Sequence, residues 1–198
     1  MTARTSALLI GGLGLAALIA QYIALAPPLD TASVAGKLWA MAGYFTILTN
    51  LGVTLVMLAV AAGWRLTASR AAGLLVALTM VGLVFHTLLA QLISPQGLAW
   101  WANQGLHSAM PIALALWWLA FAPKSVALRD LPFWLIWPGL YGAYALIRGA
   151  ATGFWPYPFL NADTLGWPAV TLNIAALLAA FAVLSLGLIA LTHLLRRS

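Results

Sequence analysis

Six apolar runs, at about residues 7–26, 38–63, 72–93, 104–122, 131–152 and 166–194, constrain this chain more than any other feature. A helix rises about 1.5 Å per residue, so roughly 20 residues cross a hydrocarbon core of about 30 Å. Each run is long enough to do so. The breaks between them carry turn chemistry: "APPLD", "GWRLTASR", "ISPQG", "FAPKS" and "GFWPYPFLNAD". Charged residues make up 6% of 198, where a soluble domain uses roughly 25%, so too few remain to coat a surface that faces water. A transmembrane β-barrel needs alternating segments of about ten residues, and continuous apolar runs exclude it. The expected fold is all-α: a polytopic membrane helix bundle with six transmembrane helices, formed by residues 1–198 as one integral membrane domain.

The net charge of +6 would point to nucleic acid in a soluble protein. Here the Lys and Arg residues mostly lie between apolar runs, where they set topology instead. Arg4, Arg65, Arg70, Lys124, Arg129, Arg196 and Arg197 fall on one side, and Lys37 with Arg148 on the other. The positive-inside rule places the first group in the cytoplasm, and with it both termini. Tryptophans agree: Trp39, Trp100, Trp101, Trp155 and Trp167 mark the outer interface, and Trp64, Trp117, Trp118, Trp134 and Trp137 the inner one. The start of the chain has the layout of a secretory signal, with "MTAR", an apolar core and "ALAPP". Its apolar part is longer than a usual signal core, so a retained helix is expected. Cysteine is absent, which excludes disulfides, a thiolate nucleophile and thiolate metal sites.

Polar side chains inside the membrane are costly and are functional hypotheses by default. Counted at about 1.5 Å per residue, they gather in the outer half of the bilayer. On helix two, entering near Leu38, Thr46 lies about 12 Å down and Asn50 about 18 Å. On helix four, entering near Ala102 to Gln104, His107 lies about 6 Å down. His86 stands roughly 9 Å below the outer surface, Arg148 about 5 Å, and Asn173 about 10 Å. The inner halves hold little beyond Thr79 and a few other hydroxyls.

Each of these residues also has a purely structural reading. Thr46 can bond the carbonyl four residues back, Asn50 can join helices, His86 can pack as a neutral ring, and Arg148 can snorkel. His107 lies between Asn103 and Pro111, and Pro111 has no N–H for the His107 carbonyl. The outer loop 153–165, rich in aromatics and proline, fits a lid or an interfacial anchor.

Three chemistries could use the layer. In a hydrolase, Thr46 is the nucleophile and His107 its base. Asn50, four residues from Thr46 on the same helix face, could donate to an oxyanion, and Arg148 could hold a substrate carboxylate. Alternatively, His86 and His107 could ligate a haem iron, or the polar layer could line a transport path.

"YFTILTN", "NQGLHSAMP", "YALIRG" and "WPYPFLN", in that order, together resemble the androgen-induced and androgen-dependent membrane proteins. Those are hydrolases of fatty acid esters of hydroxy fatty acids. The chain is especially similar to their bacterial relatives, and the resemblance implies a bacterial inner membrane. The resemblance spans most of the chain and implies an intramembrane threonine hydrolase with a Thr–His pair. Thr46 and His107 match that pair, Asn103 lies in the Asn-x-x-x-His segment, and Tyr157 opens the Tyr-Pro-Phe-Leu loop. Asn161 stands where an acidic residue is expected in many relatives. Thr49 is also a nucleophile candidate by spacing. The resemblance implies a lipid or fatty-acyl ester substrate. In the polar layer His86 and Asn173 are expected to support the site, and the reaction requires no metal or cofactor.

Overall fold

The computed structural model describes residues 1–25 and 33–195. The "APPLD" break, Arg196 and Arg197 lie outside the described residues. Every regular element among the described residues is helical. Backbone contacts divide the chain into two compact units, residues 1–123 and 124–198, and each is described by itself.

The first unit begins with α1 (Ala3–Ile23), capped by the Thr2 hydroxyl on the Thr5 N–H. There follow α2 (Val34–Met41), α3 (Phe45–Ala61) and α4 (Ala68–Val84). α4 runs on through a π-turn, Phe85–Leu89, and a 3₁₀ turn, Ala90–Leu92. The last stretch is α5 (Leu98–Gln104), a second π-turn (Gly105–Ala109) and α6 (Met110–Phe121).

α1 packs most closely on α3. Ala7, Ile10, Gly11, Gly14 and Ala17 are buried on α1, and Asn50, Val53, Thr54, Met57 and Val60 on α3. Small residues let the two backbones approach, as membrane helices require when lipid offers no hydrophobic drive for association. Gly14 is the tightest point. A side chain there would run into the Thr54 hydroxyl and the Met110 terminal methyl. Beneath the helix crossing, Ala17, Leu18 and Leu106 form one apolar cluster and Leu25, Ala40 and Met41 another. Ile47 packs against both.

The second unit holds α7 (Leu131–Thr152), a 3₁₀ turn (Pro158–Leu160), the short α8 (Ala162–Leu165) and α9 (Trp167–Leu195). Gly153 closes α7 in the left-handed conformation at φ 70°, which glycine adopts without strain. The segment between α7 and α9 is knitted together. Trp155 Nε1 donates to Asp163 Oδ2 at 2.7 Å, and the Asn161 side chain caps α8 on the N–H groups of Asp163 and Thr164.

Three helical stretches are long and apolar enough to cross a membrane: Ala3–Ile23, Ala68–Leu92 and Trp167–Leu195. There are four if α2 and α3 count as one broken span. Residues 98–121 and 131–152 have the length, but Trp, Tyr, Pro, Gly and polar side chains lower their hydropathy.

One expected span is corrected. Residues 38–63 do not form a continuous helix; α2 and α3 meet at 98°. Gly43 and Tyr44 make three-residue bonds to the Ala40 and Met41 carbonyls, and extended Tyr44 starts α3 afresh. A depth counted from Leu38 therefore does not apply to Thr46, which lies in the first turn of α3. Likewise, the helix carrying His107 starts at Leu98, earlier than expected, so His107 lies deeper along it.

Candidate functional site

Thr46 is the second residue of α3, and its side chain is on the buried face of that helix. His107 is the third residue of the second π-turn. The two meet: Thr46 Oγ1 is 3.3 Å from His107 Nε2. The other ring nitrogen, Nδ1, is 3.1 Å from the Asn103 carbonyl oxygen. A carbonyl can only accept, so that bond fixes the neutral tautomer with the proton on Nδ1. Nε2 is then a lone-pair acceptor, and the Thr46 hydroxyl donates to it. The expected part played by Asn103 thus comes from its main chain. Its side chain is buried and makes no hydrogen bond with the described residues.

The π-turn accounts for where His107 points. π-turns are rare and cluster at functional sites because one extra residue re-aims side chains. Here the Met110 N–H bonds the Gly105 carbonyl, five residues back. In the same register the Leu106 carbonyl would need the N–H of residue 111, which is proline. So the acceptor stranded by Pro111 in this register is Leu106, one residue before the expected His107. Asn50 Nδ2 supplies the missing donor at 3.3 Å, and also donates to the Thr46 carbonyl at 2.9 Å. Both amide hydrogens are thereby engaged on main-chain oxygens. The expected donation from Asn50 to an oxyanion finds no N–H left for it.

α4 lies against the same turn. A Cβ on Gly82 would stand 3.0 Å from the His107 carbonyl oxygen, so glycine is what lets α4 come this close. Phe85, the first residue of the other π-turn, stacks on the His107 ring at 3.9 Å between centroids, 22° from parallel. It also meets His86 edge-on at 5.1 Å. His86 Nε2 lies 3.1 Å from Ser108 Oγ, and Ser108 donates to Gln104 Oε1 at 2.9 Å. His86 is thus next to the pair but tied to a separate chain. A haem between His86 and His107 would have to displace Phe85 from both rings, and iron on Nε2 would break the Thr46 contact. Thr49, on the same helix, is buried; the contact with His107 is made by Thr46.

The remaining expected residues lie in the second unit. Arg148 is only 6% exposed, donates from Nη1 to the Tyr144 hydroxyl at 2.9 Å, and has its guanidinium over the Phe154 ring at 4.5 Å. Tyr157 stacks on Phe159, and Asn173 Nδ2 donates to the Phe159 carbonyl at 2.9 Å. Each of the three is thus tied to an aromatic residue of its own unit: Arg148 to Tyr144 and Phe154, and Tyr157 and Asn173 to Phe159. His193 lies in the last turn of α9. Among the described residues no group of three His, Asp or Glu is placed to hold a metal ion.

Phe85, Ser108, Gly82 and the Leu106 carbonyl are parts of this neighbourhood that residue chemistry alone does not mark. An aromatic beside a membrane histidine is the one signal that could have pointed to Phe85. Comparison of the chain with protein-family models, with curated proteins and with solved structures gave no significant match.

Proposed function

We propose that this protein is an intramembrane hydrolase of lipid-like esters, with Thr46 as nucleophile and His107 as general base and acid. The observation that carries the reading is the pairing of Thr46 Oγ1 with a His107 whose other nitrogen is committed to the Asn103 carbonyl. A threonine hydroxyl is a poor nucleophile until a base takes its proton. A carbonyl on Nδ1 plays the orienting part that a carboxylate plays in a catalytic triad. The contact of 3.3 Å is long for a hydroxyl bond, and catalytic contacts of this kind shorten as the transition state forms.

In the first step Thr46 Oγ1 attacks the ester carbonyl while its proton passes to His107 Nε2. The tetrahedral intermediate collapses, and the His107 proton goes to the departing alkoxide, which leaves as an alcohol. Water then attacks the acyl-threonine ester with His107 again as base, releasing the fatty acid and restoring the Thr46 hydroxyl. Negative charge develops beside the first turn of α3. The N–H groups at a helix start, Ile47's among them, and the positive end of the helix dipole favour charge of that sign.

The reading includes the six-span arrangement with both termini cytoplasmic, seated in a bacterial inner membrane. Its supports are the charge asymmetry of the loops and the resemblance of "YFTILTN" and "NQGLHSAMP" to the fatty-acyl ester hydrolases. The test is covalent labelling of the purified protein with an alkyl fluorophosphonate. Thr46 should carry the adduct, and equal labelling of Thr46→Ala would sink the assignment. Acidification should slow the wild type, because a proton on Nε2 removes the acceptor.

A further inference from the structure

Asn50 is the most enclosed polar residue near the pair, at 0% exposure. Its two hydrogen bonds reach the Thr46 carbonyl, on its own helix, and the Leu106 carbonyl, on the element that carries His107. Its Oδ1 is buried with no partner among the described residues. The amide cannot turn over without pressing that oxygen against two carbonyls, so both anchors run through nitrogen. We infer that Asn50 is a positioning residue that stands in for the N–H absent at Pro111 and thereby sets the approach of Thr46 to His107.

Two observations on opposite sides of the pair meet in this one side chain. The π register and Pro111 together leave Leu106 without a donor, and an unsatisfied carbonyl in a water-free interior is costly. The amide that satisfies it starts four residues after Thr46 and also holds the Thr46 carbonyl. Removing it releases the two backbones from each other at the point where nucleophile and base must align. Misplacement by about 1 Å can cost about 100-fold in rate. Asn50 touches no reacting atom, and its influence passes through the residues it holds. This role rests on the hydrolase reading only where the reaction is concerned.

The experiment is a double-mutant cycle on the full-length protein purified in detergent, comparing wild type, Asn50→Leu, Pro111→Ala and the double variant. Asn50→Asp, which keeps the shape and loses at least one donor, serves if Asn50→Leu does not fold. Two quantities are read: the thermal unfolding midpoint, and kcat and KM on a p-nitrophenyl acyl ester. Asn50→Leu should lower kcat by about 10–100-fold with KM within about twofold. Its drop in unfolding midpoint should be smaller by about 2–4 °C in the Pro111→Ala background, where residue 111 regains an N–H. Additive midpoints would overturn the substitution for Pro111. A loss confined to KM, or an unchanged kcat, would overturn the positioning role. A wild type that neither hydrolyses esters nor takes the fluorophosphonate sinks the hydrolase reading and the reaction role with it, while the midpoints still decide whether Asn50 replaces the missing N–H.

Discussion

The molecule uses the same rare backbone device twice, with different results. Each π-turn, Phe85–Leu89 and Gly105–Ala109, is closed by an N–H bonded five residues back, and each carries a histidine. His107 has both ring nitrogens engaged, on Thr46 and on the Asn103 carbonyl, with Phe85 stacked on its face. His86 has one nitrogen on Ser108 and is otherwise exposed. The wide turn re-aims a side chain, and what surrounds the turn decides what that side chain can do. The second turn meets α3, which supplies Asn50, and α1, whose Ala17 and Leu18 pack on Leu106. The histidine of the first turn meets Phe85 edge-on and bonds Ser108 of the second turn.

This contrast can be broken in order of severity. Thr46→Ala and His107→Ala should each lower ester hydrolysis by about 1,000-fold or more, as when one member of a nucleophile–base pair is lost. An equal loss in His86→Ala would erase the distinction between the two turns. Phe85→Ala removes the ring stacked on His107 and should lower kcat by about tenfold through looser placement, measured on the same ester. Gly82→Ala presses a methyl on the His107 carbonyl. Overpacking of that kind costs about 1–3 kcal/mol and should show as a lower unfolding midpoint. His86→Ala should change kcat by no more than about threefold, since its bond to Ser108 is outside the Thr46–His107 contact.

The all-helical fold follows from apolar runs that no soluble surface could accommodate. The Thr46–His107 pairing was legible because both residues are polar groups stranded in such runs. Asn50 was legible as a same-face neighbour, four residues along α3, but its partners were not. Hydropathy cannot see a 98° bend: residues 38–63 stay apolar through Met41 to Tyr44, and Gly43 is the lone local sign that the helix stops. Nor do π-turns leave a compositional trace. Their presence depends on which carbonyls find donors in the packed state, and so the donor shortage fell on Leu106 and not His107. Asn103 is marked by its place in the Asn-x-x-x-His segment, and it meets His107 through its carbonyl, which residue type does not foretell. Arg148 is expected from sequence as a charge near the outer surface that can snorkel or hold a carboxylate. It is buried, with the Tyr144 hydroxyl one turn earlier on α7 and the Phe154 ring under its guanidinium, and residue type does not foretell the second contact.

The bonding across Gly105–Ala109 spends one residue more per turn than an α-helix does, which makes the stretch from Asn103 to Pro111 a ruler. Deleting any single residue within it would let the helix close in ordinary register. The wide turn takes up about one residue, so everything beyond the deletion would keep roughly its facing relative to α5. Trp117, which donates to the Ala3 carbonyl from the next turns of α6, would stay on α1, while the turn that aims His107 at Thr46 would be gone. Chain length in this stretch should tolerate less change than side-chain identity: conservative replacements at Leu106 or Ser108 can be absorbed locally, whereas a one-residue gap leaves the fold in place and removes the register that pairs the two residues.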